Sequence, residues 1–325
     1  MFLPAYGPEG AALLRIYRIA EALRGQGWRT LVLPWRLTLA QRQRFLRRVS
    51  PDVVVMQGAR HALNRPALYP DQRILFDMDD ADFHLPHLAG PVRDAMGQVA
   101  GVIAGSRYIA EWCRAAGAPR VDVVWTGAPV TRPPAPPQTV RPPVVAWAQT
   151  RPMTYVGEAA WVRDVITRLG AARPGVTLRL FDRQPGDDPG FAATFDAPGV
   201  TVEWQPALPY KGFLRALEDV AVGLAPLAPD APFSRGKSFG KILGYLDRQV
   251  PVLASDAGEP AAFFTVETGV LSNAVDVWSQ EAKRLLEDAD ARQTMAAAAS
   301  DAFEAQLSVA ASARAMDRVL RAAIN

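Results

Sequence analysis

The sequence has one cysteine, Cys113, so no disulfide forms within the chain and a reducing compartment is the natural expectation. No uninterrupted apolar run approaches the ~18 residues of a membrane span. The opening MFLPAYGPEG lacks a charged region ahead of an apolar stretch, which argues against a secretory signal. A cytoplasmic protein without a transmembrane segment is expected. A large excess of one charge is missing too: 36 Lys and Arg against 33 Asp and Glu leave a net +3, with a sequence pI near 9.2. The basic residues look scattered, with no aromatic-interleaved stripe, so nucleic acid is not the expected partner. Solenoid-period repeats are absent.

What is present is 325 residues, 49% of them hydrophobic, enough for about two domains at ~150 residues each. Short β-branched runs alternate with stretches of helical period, the pattern of parallel sheets with crossover helices. The runs in the first half are MFLP, RTLVLPW (29–35), DVVVMQ (52–57), RILFDM (73–78), GVIAGS (101–106) and VDVVWTG (121–127). A proline-rich segment, APVTRPPAPPQTVRPP, follows and reads as a stiff linker. The alternation restarts with PVVAWAQ (143–149), VTLRLFD (176–182), VTVEWQP (200–206), VAVGLAPL (220–227) and VPVLAS (250–255). From about 274 to 324 the pattern is helical, with a break near Ser308 and Ala311. The expected organisation is an N-terminal Rossmann-like domain over 1–130, a linker over 131–143, a second Rossmann-like domain over 144–305 and a C-terminal helix over 306–325 that packs back on the first. Ligands of open parallel sheets bind beyond the carboxyl ends of the strands, so two such domains facing each other imply a cleft site.

The segment 231–238, APFSRGKS, is one letter from the phosphate-loop pattern GxxxxGK[ST], with Ala231 in place of the first glycine. Its context argues against a P-loop. It lies late in its domain, APDAPF separates it from the preceding strand, and prolines have no N–H to give a phosphate. A helix beginning near Lys237 or Ser238 sets Lys237 and Lys241 on one face, with Arg235 just ahead. That pattern suits a diphosphate; a solvated basic helix start is the plainer alternative.

The order DVAVGLAPL, GKSFGKILGYLDRQVPVLASDAG, TGVL and WSQEAKRLLEDADARQTMAAAA resembles the nucleotide-sugar-binding half of GT-B glycosyltransferases, in particular the retaining family-four group. In the first half, RIAEALRGQGWRTLVL and VAGVIAGSRYIAEWCRAAGAPRVDVVWTGAPV resemble the corresponding segments. The resemblance implies an α/β fold of two Rossmann-like doubly wound domains facing a cleft, with a helical tail. It also implies a bacterial-type enzyme that moves a sugar from a nucleoside diphosphate-sugar to an acceptor with retention of configuration. The donor is then a substrate, and neither a separate cofactor nor a metal is needed. On this reading Arg151, Arg235, Gly236, Lys237, Ser238, Lys241 and Glu259 bind the donor. Gly7, Glu9, Gly10 and Arg15 form a loop facing phosphate or acceptor. Asp80 and His84, in the acid-rich strand end LFDMDDADFH, are the catalytic candidates. Asp80 and Asp82 spell a DxD, but their expected use is hydroxyl binding rather than metal binding. The acceptor is unassigned: glycan, lipid-linked, protein or small molecule.

One departure stands out. The resembling enzymes commonly carry two glutamates eight positions apart, the second holding the donor ribose, and here Gly236 and Gly244 stand at those places. Two carboxylates lie nearby: Asp247, one helical turn along and able to face away, and Glu259, which opens the next loop and is the candidate substitute. The loss gives a second reading, a non-catalytic nucleotide-sugar-binding homologue or partner subunit; a sugar-nucleotide epimerase of similar two-domain architecture is a third.

Overall fold

The computed structural model describes residues 1–131, 136–183, 188–228 and 230–324. By its internal contacts the chain divides into two units, Met1–Pro129 with Pro232–Ser238 and Gln306–Asn325, and Val130–Ala231 with Phe239–Ala305.

The first unit is built on a five-stranded parallel sheet of β1 (Phe2–Leu3), β2 (Val54–Gln57), β3 (Ile74–Met78), β4 (Gly101–Ala104) and β5 (Val121–Val123), ordered β1-β2-β3-β4-β5. Helices α1 (Arg18–Arg24), α2 (Leu39–Val49), α3 (Pro86–Met96) and α4 (Arg107–Ala115) connect them. The expected strand 29–35 reduces to one parallel bridge, Phe2 with Val32, outside β1. The Phe2 N–H donates to the Leu31 carbonyl and the Leu33 N–H to the Phe2 carbonyl; the next donor on the β1 side is Pro4, which has no N–H, so the ladder stops there. Strands β1 to β4 are buried on both faces, as parallel strands covered by crossover helices are, while the edge strand β5 is half-buried. Val54, Met56, Ile74 and Phe76 point to one core with Leu46, Val92 and Ile109. Their neighbours Val53, Val55 and Leu75 point to the other, with Ile16, Ile19 and Leu23. This alternation is the period-2 geometry of strands.

The second unit has six parallel strands: β6 (Val144–Trp147), β7 (Val176–Asp182), β8 (Val200–Pro206), β9 (Val222–Ala225), β10 (Val252–Ala254) and β11 (Val270–Leu271). Their order, β11-β10-β9-β6-β7-β8, is the Rossmann arrangement of two βαβαβ halves. Helices α5 (Val156–Ala172), α6 (Tyr210–Arg215), α7 (Ile242–Asp247), α8 (Val275–Glu287) and α9 (Ala289–Gln306) belong here. Val162, Val165, Ile166 and Leu169 of α5 share a core with Trp278, Ala282 and Leu285 of α8, the i, i+3, i+4 spacing of amphipathic helices. The helical tail breaks at Asp288 and again at 307–308. Its last piece, α10 (Val309–Ile324), places Met316, Val319 and Leu320 in the core beside α1 of the first unit.

The linker expected at 131–143 includes residues 132–135, which lie outside the described residues. The rest is pinned to the second unit. The Thr131 N–H and hydroxyl donate to the Asp247 carboxylate at 2.7 Å each. Gln138 Nε2 donates to the Gln249 carbonyl at 2.7 Å, and buried Arg141 donates to the carbonyls of Val220, Arg248 and Gln249. The described part of this stretch is thus held on the second unit by bonds to backbone carbonyls and to the Asp247 carboxylate.

Candidate functional site

In the first unit the chain leaves β1, bridges outward at Val32 and returns on the other side as β2. The loops after β1 and β2 therefore diverge at a topological switch point, where open α/β sheets hold ligands. The crevice there is lined by Tyr6, Gly58 and Arg60 with Asp79, Asp80 and Asp82 from the loop after β3. Its floor is an ion pair. Arg15, only 2% exposed and carried on a π-helical segment (Leu13–Tyr17), grips Asp77 through Nε and Nη2 and donates from Nη1 to the Val124 carbonyl and the Thr126 hydroxyl. Thr126 in turn donates to Asp79 at 2.6 Å. Above the floor, Arg60 Nη2 meets Asp80 at 2.7 Å and Asp82 at 2.6 Å, while its Nε donates to Asp82 at 2.9 Å.

These contacts set the titration behaviour. Burial pushes the Asp79 carboxyl up, Arg15 opposes that, and the like charge of Asp80 adds to it. Asp82 is also raised, by burial first, against the pull of Arg60. Burial pushes the Tyr6 hydroxyl up to about 12. The crevice thus combines two arginines held charged with two carboxyls that keep their protons above the usual range. Such a set both donates to and accepts from hydroxyl groups.

The sequence candidates fall into two groups. Asp80 and His84 lie in the first unit, where Asp80 lines the crevice and the His84 ring nitrogen Nε2 is 2.8 Å from the Tyr108 hydroxyl. Burial and then Arg235 push the His84 imidazole down. Arg235, Gly236, Lys237 and Ser238 also belong to this unit. The Arg235 guanidinium sits 4.8 Å over the Tyr108 ring, and the Gly236 carbonyl accepts from Ser106 Oγ at 3.0 Å. Lys237 lies over the Phe233 ring. Gly7, Glu9 and Gly10 sit in the loop after β1; Glu9 is exposed, and Gly10 has φ +47°, a left-handed turn before the helix. Arg15 is committed to Asp77 and supports the crevice from below.

Arg151, Lys241 and Glu259 belong to the second unit. Arg151 is exposed after β6, on the switch-point side of that sheet, and Glu259 is buried after β10. The helix expected to start near Lys237 or Ser238 starts at Ile242, with Lys241 as its N-cap. A separate one-turn helix covers Pro232–Arg235, so Lys237 and Lys241 do not share a helical face. Gly240, at φ +27°, interrupts helical continuity between them. Lys241 instead lies over the Phe213 ring at 5.0 Å.

The two glycines standing for acids have a steric explanation. A Cβ on Gly236 would meet the Ala81 methyl at 2.5 Å, and a Cβ on Gly244 would meet the Phe213 ring at 2.6 Å and Leu217 at 3.1 Å. Phe213 of α6 thus occupies the direction a carboxylate at 244 would take. Asp247 cannot take its place, because its carboxylate is spent on Thr131 and Arg248.

Sequence reasoning missed Arg60, Tyr6, Tyr108 and Thr126. The strand-end rule points to the loop after β2, but that loop holds both Arg60 and Arg65. Only the folded chain shows Arg65 spent on the carbonyls of Ala59, His61 and Asn64.

No protein-family model matches the sequence, and no curated protein matches it. Solved structures do. The chain aligns over 99% of its length with 98% of HepE from Anabaena in complex with UDP and glucose, at TM-score 0.68 and 15% identity. It aligns over its whole length with 97% of a glycosyltransferase from Rickettsia africae, at TM-score 0.69 and 10% identity. With TarM of S. aureus the TM-score is 0.64 at 12% identity over 88% of this chain, which spans 58% of TarM's length. The fold is therefore the two-domain α/β fold of the GT-B glycosyltransferases.

Proposed function

We propose that the protein is a glycosyltransferase that moves a sugar from a nucleoside diphosphate donor to a hydroxyl-bearing acceptor, with retention of configuration. The observation that carries this reading is the end-to-end likeness to HepE, whose structure holds UDP and glucose. The first unit's crevice suits the acceptor side, where Arg60, Asp79, Asp80 and Asp82 meet sugar hydroxyls, and Asp80 and His84 are the candidates for moving a proton. On the second unit, Arg151 and Lys241 are the cations that meet the donor diphosphate. Positive charge fixed where the leaving phosphate gains charge is the usual source of rate in such transfers. Glu259 is the remaining carboxylate candidate for the donor, in the loop after β10. The donor is a substrate and no cofactor or metal is invoked.

Calorimetry with UDP and a panel of nucleotide sugars, followed by an assay for UDP release with and without simple acceptors, tests the reading. Binding with release supports it. Tight binding without turnover indicates a non-catalytic partner subunit, and inversion at the sugar C2 without acceptor indicates an epimerase. Failure to bind any nucleotide overturns all three.

A further inference from the structure

One stretch of the chain is basic without any acid to offset it. Between Glu21 and Asp52 there are seven arginines and no acid. Helix α2 holds four of them in the sequence LAQRQRFLRRV. Arg42 is turned inward, donating to Asn64 Oδ1 at 2.8 Å and to the Trp35 carbonyl at 2.6 Å, and with Leu46 it seats the helix on the core. Arg44, Arg47 and Arg48 are exposed, and among the described residues none of them has a carboxylate partner.

The same helix exposes apolar side chains. Phe45 is 42% exposed and Val49 46%. Among the described residues, eight large hydrophobic side chains are exposed, and three of them, Leu31, Phe45 and Val49, fall in this acid-free stretch. At i, i+4 spacing Phe45 and Val49 form one stripe along the helix, and Arg44 and Arg48 form the next stripe beside it. Two like charges at that spacing repel unless an anionic surface joins them. The helix is rigidly presented: Thr38 and Gln41 close a capping box at its start. Just before it, half-buried Trp35 carries the Arg36 guanidinium 4.8 Å above its ring, a pairing of indole and cation suited to a boundary between apolar and wet phases.

We propose that this face of α2 docks the protein on an anionic lipid bilayer, Phe45 and Val49 entering the headgroup boundary while Arg44 and Arg48 beside them, and Arg36 ahead of the helix, meet lipid phosphates. Charge complementarity selects the partner. A duplex nucleic acid satisfies the arginines but leaves the aliphatic Val49 with nothing to gain, whereas an interfacial helix uses both stripes. No helix among the described residues is long and apolar enough to cross a membrane, so the contact is one of lying on the surface. It is independent of the donor and acceptor reading above.

Co-sedimentation of the full chain with phosphatidylcholine vesicles containing about 30 mol % phosphatidylglycerol, compared with pure phosphatidylcholine, tests this. Binding is expected only to the anionic vesicles, weakening as salt shortens the screening length. Arg44→Glu with Arg48→Glu is expected to weaken it roughly thirtyfold or more, the worth of at least two cations at an anionic leaflet. Phe45→Ser is expected to weaken it roughly tenfold. All three positions are exposed, and unchanged melting temperatures verify that the variants fold. Absence of binding to anionic vesicles at low salt overturns the proposal. So does binding that ignores Phe45→Ser, and so does duplex DNA that displaces the vesicles while binding the Phe45→Ser variant as well as the parent.

Discussion

The two switch points of this protein are prepared in opposite ways. In the first unit the crevice beyond β1, β2 and β3 is charged before any ligand arrives, with Arg15 clamped to Asp77 below and Arg60 clamped to Asp80 and Asp82 above. In the second unit the switch lies between β6 and β9, and small residues and backbone make it. A Cβ on Gly157 would meet the Ala228 methyl at 2.9 Å, and the Ala228 N–H donates to buried Glu158. Its candidate phosphate cations, Arg151 and Lys241, are exposed. The contrast suggests a division of labour: directional polar groups set in advance on one sheet, close backbone approach with exposed cations on the other.

The most severe way to break this comparison is Arg15→Met. Leaving Asp77 buried without its cation is expected to cost about 3–5 kcal/mol of stability in denaturant titration, and adding Asp77→Leu is expected to recover part of it. A cost under about 1 kcal/mol means the charged floor is not structural. On the second unit, Lys241→Ala is expected to weaken UDP binding by about 1.5–3 kcal/mol in calorimetry, the worth of a charge-assisted contact, with the melting temperature unchanged. Equal affinity removes Lys241 from the donor site.

Gly244→Glu sharpens the steric account. Forcing a side chain against Phe213 is expected to destabilise by about 1–3 kcal/mol, and Phe213→Ala in the same chain is expected to make the glutamate tolerable relative to Phe213→Ala alone. A neutral Gly244→Glu means that Phe213 yields, and an acid at 244 is then compatible with the fold. The smallest effect is electrostatic. Burial first and Arg235 second lower the His84 imidazole, so between its folded value and 6.5 the folded state holds fewer protons than the unfolded chain. That contribution to stability grows as pH rises through this window. Arg235→Ala is expected to move the His84 titration upward in NMR, and an unmoved curve removes Arg235 from its surroundings.

Much of the architecture was legible in residue order. Runs such as RILFDM and VTLRLFD became β3 and β7 because continuous β-branched and aromatic residues suit strands covered on both faces. RTLVLPW misled, since its composition says strand while its partner β1 runs into Pro4, which has no donor for the next rung, and the pairing stays a single bridge. The basic segment 235–241 misled differently. Its charges suit one helical face, but Gly236 packs on Ala81, Gly240 takes a left-handed turn, and the helix waits until Ile242.

Sequence by itself determined the alternation of strand and helix and the acid-rich strand end at 77–84, because each of these depends on local composition and period. Tertiary structure decided which charges remain available. Arg15 and Asp77 are 62 positions apart and cancel each other, Arg60 rather than Arg65 enters the crevice, Asp247 is spent on Thr131, and Phe213 fills the space beside Gly244. A side chain's letter states what it is able to bind, but only its buried partners state whether that capacity is already used.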